Sequence, residues 1–121
     1  IKANTLEGPY IKETLIDVIQ GNKIPLDKNI FNQDALIFQD LKSNWVKLAH
    51  KSSTHEVKLT VIDFPHLGIW SKPGAPFVCI EPWQGMADYV SHNKDILQKK
   101  GILKLESNDE VTKSFTMEFN S

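Results

Sequence analysis

The chain has 121 residues, a formal net charge of −1 and a 40% hydrophobic content, the balance of an ordinary soluble globular protein able to bury a core. No run approaches the roughly 20 apolar residues of a membrane helix and no signal peptide is visible, which argues against a membrane partner. All 14 basic residues are lysines, scattered with only Lys99 and Lys100 adjacent, so the basic stripe and arginine forks of nucleic-acid and phosphate recognition are missing.

In chain order, Glu7-Gly8-Pro9-Tyr10 marks a turn, and Leu15, Ile16, Val18 and Ile19 suit either a strand or one helical turn. Gln20 to Phe31 reads as an irregular loop. From Ala35 the pattern is β: a short apolar strand over 35–38, a turn at Lys42-Ser43-Asn44, a strand over 45–50, a turn at 51–54, and a strand over 56–63. In the last of these Val57, Leu59 and Val61 face one way and Lys58 and Thr60 the other, the half-buried pattern of an antiparallel strand. A further strand covers Leu67 to Trp70.

Phe77, Val78, Cys79, Ile80 and Glu81, opened by Pro-Gly-Ala-Pro, read as a buried strand that Pro82 is expected to end. Strand alternation puts Phe77, Cys79 and Glu81 on one face. Gln84 to Asp95 reads as a loop with a little helix, Ile102 to Leu105 as a strand, and Phe115, Met117 and Phe119 alternate with polar residues in a last strand. Strands every 8–12 residues with turns between them predict an all-β antiparallel sandwich. No repeat or linker interrupts the chain, so residues 1–121 read as one unit. The lone Cys79 has no internal disulfide partner, which fits a cytoplasmic location.

The run Cys79-Ile80-Glu81-Pro82-Trp83, preceded by Gly68-Ile69-Trp70-Ser71-Lys72-Pro73-Gly74-Ala75-Pro76 and followed by Gly85-Met86-Ala87-Asp88, resembles the C-terminal signature of the aldose 1-epimerase (galactose mutarotase) family, its LacX-like subgroup in particular. The likeness runs from about Ile24 to Phe119 and is strongest between Phe64 and Asp88. It implies the galactose mutarotase-like supersandwich and, because members are much longer, a C-terminal portion whose upstream part is absent. The chain opens on Ile1 and its first methionine is Met86, in line with that expectation.

The resemblance implies an isomerase that interconverts the α and β anomers of an aldose, with a small-molecule sugar as partner and no cofactor. Glu81 is then the catalytic base, taking the proton of the anomeric hydroxyl while a histidine acts as acid on the ring oxygen. On the residues alone, Glu81 reads equally as a structural carboxylate paired in the core. Asp34 resembles the family's aspartate that binds sugar hydroxyls; the competing reading is an Asx turn at a strand start. Trp83 is expected beside the sugar and Trp70 in the core.

His50, His55, His66 and His92 match no acid motif, which the resemblance places upstream of Ile1; His66 reads as packing at a turn edge. Their spacing gives no metal signature, so no metal is expected. A non-catalytic carbohydrate-binding sandwich is the alternative function.

Overall fold

The computed structural model describes residues 2–121, and their regular secondary structure is almost wholly β. Eight strands follow one another: β1 (Lys2–Glu7), β2 (Tyr10–Asp17), β3 (Leu36–Phe38), β4 (Trp45–Ala49), β5 (Glu56–Thr60), β6 (His66–Trp70), β7 (Cys79–Trp83) and β8 (Thr116–Asn120). They form a five-stranded sheet in the order β2-β1-β3-β6-β7 and a three-stranded sheet in the order β4-β5-β8. Every strand pair in both sheets is antiparallel, as the alternating patterns predict. A short 3₁₀ turn at Ile96–Gln98, capped by the Asp95 side chain, is the helix of the long segment after β7. None of the described helices is long and apolar enough to cross a membrane.

The five-stranded sheet carries side chains on both faces. Ala3, Leu36, Phe38, Leu67 and Ile69 are buried on one face with Phe31, and Val46 of β4 packs against this cluster, joining the second sheet to the first. Ile37 and Ala35 lie on the opposite face with Ile11 and Met86, and Trp70, Trp83 and Tyr89 pack around them. This second face carries Glu81. In the three-stranded sheet Val46, Leu48, Val57, Leu59, Met117 and Phe119 share an apolar face by register. The other face carries the cross-strand pairs Lys47–Glu56 and Lys58–Glu118.

One open reading is resolved and two expectations need correction. Of the N-terminal run, Leu15 and Ile16 lie in β2, the second arm of the β1–β2 hairpin, and Val18 and Ile19 follow it; β2 stands at a sheet edge, so its burial does not alternate cleanly. Pro82 does not end its strand: β7 runs through it to Trp83, with Pro82 opposite Leu67. Proline is tolerated because β7 is an edge strand among the described residues, where a missing N–H falls on the open side. Ile102 to Leu105 form no strand; with no partner to pair with among the described residues, Ile102, Leu103 and Leu105 stay exposed.

Candidate active-site face

Register places the candidate side chains. Asn4, Ile37, Gly68 and Glu81 lie on one rung across β1, β3, β6 and β7, while Gln39 follows β3 beside the next same-face rung, where His66 pairs with Trp83. Cys79 and Glu81 share this face as the alternation predicts, and Trp83 joins them because β7 continues through Pro82; Phe77, expected in the same strand, precedes it and is exposed, while Ile80 turns to the other face. Glu81 is half-buried and stands opposite a residue without a side chain, so the sheet beside its carboxylate is not filled from β6.

Trp83 occupies part of that space. Its indole N–H donates to Glu81 Oε2 at 3.1 Å. The ring lies so close over Gly68 that a Cβ there would sit 2.8 Å from Trp83 Cζ2, well inside contact distance. Trp70, as expected, packs against the buried cluster and makes an edge contact with Phe77, with ring centroids 6.0 Å apart.

A polar network that the sequence does not announce borders this pair. The Gln39 side-chain amide donates to Asn4 Oδ1 at 2.7 Å and to the Tyr89 hydroxyl, and its oxygen accepts from Lys100 Nζ at 2.6 Å. Lys100 also reaches Asp40 Oδ2 at 3.1 Å. The Asp40 backbone N–H donates to His66 Nδ1 at 3.2 Å, which puts the proton of neutral His66 on Nε2. His66 is therefore no turn-edge residue: it is the first residue of β6 and only 2% exposed.

Burial pulls the His66 pKa down; the Asp40 carboxylate opposes this and Lys100 adds to it. The Lys100 hydrogen bond holds Asp40 below the usual carboxylate range. Network partners lie 26 to 61 residues apart in the chain, so no local motif signals them.

Asp34 lies before β3 with φ 71, a left-handed conformation that aspartate tolerates. Its Oδ1 accepts the Ala35 N–H at 2.8 Å, and its own N–H bonds the Phe31 carbonyl at 3.0 Å, so it closes a turn. It lies two residues before Leu36, the first paired residue of β3, so no ladder register ties it to Glu81.

Two hollows among the described residues lie elsewhere. One of about 640 Å³ opens over Leu48, Val57 and Phe119 of the second sheet. One of about 250 Å³ lies between the 26–31 loop and the 71–78 loop. Neither is lined by Glu81. Among the described residues no group of three or more His, Cys, Asp and Glu side chains is arranged to hold a metal ion.

Comparison with known proteins agrees with this architecture. No protein-family model matches the chain. It is 30% identical over 93 residues to the plasmid-encoded and chromosomal LacX proteins of Lactococcus lactis subsp. lactis, a match that covers 76% of this chain and 31% of each relative. Its structure superposes, with a TM-score of 0.84 and 29% identity, on a galactose mutarotase related enzyme of Lactobacillus acidophilus, covering 99% of this chain and 41% of that one. A galactose mutarotase-like protein of Lactobacillus casei shares the fold, with a TM-score of 0.76 and 24% identity over 98% of this chain and 40% of its own. The class is thus an antiparallel β-sandwich of the galactose mutarotase type. The chain belongs to the aldose 1-epimerase-like family, and spans about a third of the length of the curated relatives it matches.

Proposed function

We propose that these residues are the C-terminal portion of a single aldose 1-epimerase-like domain, and that Glu81 is the general base of an anomer-interconverting isomerase. The observation that carries this reading is Glu81 itself: a half-buried carboxylate opposite a glycine, on the sheet face that Ile37, Trp70 and Trp83 share with it, in a chain of this family. In the forward direction the carboxylate takes the proton of the anomeric hydroxyl while an acid donates one to the ring oxygen. The C1–O5 bond breaks and C1 becomes an aldehyde. Rotation about C1–C2 and closure by the reverse proton transfers give the other anomer, with no net change in atoms or electrons.

Trp83, beside the carboxylate, forms a wall of the sugar site. Asp34 holds hydroxyls at the end of the sugar remote from C1. The acid is a histidine upstream of residue 1, so this portion alone is inactive and needs the remainder of its own domain. The exposed apolar side chains Met117 and Phe119 in β8 support the need for that remainder, because they would otherwise stay in water. A cytoplasmic location belongs to the same reading and is supported by the unpaired Cys79.

Polarimetry of freshly dissolved α-galactose tests it: the whole protein carrying these residues accelerates the approach to anomeric equilibrium, and residues 1–121 alone do not. Saturable sugar binding by the whole protein without acceleration would leave the carbohydrate-binding sandwich instead. Acceleration by the 121 residues alone would place the acid among their four histidines.

A further inference from the structure

We infer that Trp83 is a positioning residue for Glu81: its indole N–H, held by the seating of its ring on Gly68, fixes the carboxylate with Oε2 engaged and Oε1 free for the substrate. The inference rests on the reading of Glu81 as the base. Two independent features of the molecule carry it. The first is the hydrogen bond from Trp83 Nε1 to Glu81 Oε2, 3.1 Å long, between neighbours on the same face of β7. The second is the slot that fixes the donor. Cζ2, Cε2 and Cη2 of the indole would lie 2.8, 2.9 and 3.3 Å from a Cβ at position 68, so the ring rests where any other residue would stand.

A glutamate side chain has three rotatable bonds and a broad terminal torsion, and a flexible base spends much of its time misaimed. A donor on a large ring wedged against backbone removes that freedom from one oxygen. It also leaves the carboxylate only one oxygen with which to meet the anomeric hydroxyl. Gly68 is on this account part of the catalytic architecture even though it presents no functional group. Phenylalanine at position 83 preserves a ring over Gly68, and so most of any wall against the sugar, but removes the N–H.

The test has a kinetic arm and a spectroscopic arm, both on the whole protein. In Trp83→Phe, kcat for mutarotation falls about 10- to 100-fold, the worth of one hydrogen bond to a charged group, while KM changes far less. Gly68→Ala, which evicts the ring but keeps the indole, lowers kcat in the same direction, with circular dichroism confirming that both variants are folded. In ¹H–¹⁵N spectra the indole resonance missing from Trp83→Phe is that of Trp83. It shifts as pH is lowered through protonation of Glu81, and in Glu81→Gln that shift is absent. The Gln variant also removes any ambiguity with His66, which pairs with Trp83 across β6 and β7 and would still titrate.

A Trp83→Phe protein with wild-type kcat, or a Trp83 indole signal equally responsive to pH with and without the Glu81 carboxylate, overturns the inference. If the whole protein has no mutarotase activity, the functional reading fails by itself, and the indole signal still decides whether Trp83 holds Glu81.

Discussion

Replacing Glu81 with glutamine separates the chemistry of this position from its architecture. Glutamine has the same length, and its amide oxygen can take over the bond from the Trp83 indole N–H now made to Oε2 at 3.1 Å. That leaves the NH₂ group where Oε1 stood, able to donate to a sugar hydroxyl but unable to accept its proton. Substrate affinity should therefore change little, and stability by less than about 1 kcal/mol, because the hydrogen bond loses only its charge assistance and Glu81 is half-buried rather than sealed in the core. The catalysed rate should fall by about 10²- to 10⁴-fold, the usual contribution of one positioned acid or base, which corresponds to roughly 2.7–5.5 kcal/mol of transition-state stabilisation. Polarimetry on the whole protein gives the rate, isothermal calorimetry gives sugar affinity, and a thermal melt gives stability. Normal turnover by Glu81→Gln would refute the assignment. A rate lost only together with the melting transition would return Glu81 to a structural role.

Three further outcomes follow from particular contacts. Asp34→Asn keeps an oxygen for the Ala35 N–H and tolerates φ 71, so its melt should match wild type; if Asp34 holds sugar hydroxyls, calorimetry should show affinity weakened by about 1.5–3 kcal/mol, and unchanged affinity would leave it only the turn. Burial holds the His66 pKa below 6.5, so between 6.5 and its folded-state value the unfolded chain takes up a proton that the folded one refuses. Stability from this residue should be complete above about pH 6.5 and decline as pH falls through that window; melts of wild type and His66→Gln across it should converge on the acidic side, and parallel curves would contradict the argument. Leu36→Ala removes a fully buried side chain from the main cluster and should cost about 2–5 kcal/mol in denaturant unfolding, whereas a cost under about 1 kcal/mol would mean that this cluster is not the core.

What the sequence discloses and what it hides divide along the range of the interactions involved. β4, β5 and β8 are legible because period-2 alternation is written into single segments: Leu59 with Val57, and Met117 with Phe119, share a face in the structure as they do in the pattern. Cys79 and Glu81 share a face for the same reason. The β1–β2 hairpin is obscure because β2 is an edge strand, where Leu15 is 55% exposed although its composition suits either a strand or a helix. Ile102 to Leu105 has strand composition but no partner among the described residues, and pairing decides whether such a run becomes a strand. The network through Gln39, Asn4, Tyr89, Lys100, Asp40 and His66 is not written locally at all. Each link joins loops or strands far apart in the chain, so only the folded sheet brings those groups together.

The five residues Cys79 to Trp83 show how one short strand meets several demands at once. Alternation sends Cys79, Glu81 and Trp83 to the candidate site face, and Ile80 packs against the main cluster on the other, so shifting the register by one residue would bury the carboxylate among Leu67 and Ile69. Pro82 interrupts the row of donors along the outer edge of β7 among the described residues, which makes that edge a poor template for another strand just beside Glu81. Gly68 then answers Glu81 across the ladder: its missing side chain leaves space on the site face, and the Trp83 ring takes the portion of that space from which its N–H reaches Oε2. A bulky residue at 68 would fill the space, a donor without a large ring at 83 would not be held there, and a non-proline at 82 would leave the edge open to pairing. The combination Gly68, Glu81, Pro82 and Trp83 is therefore coupled by geometry, and substitutions within it should be non-additive.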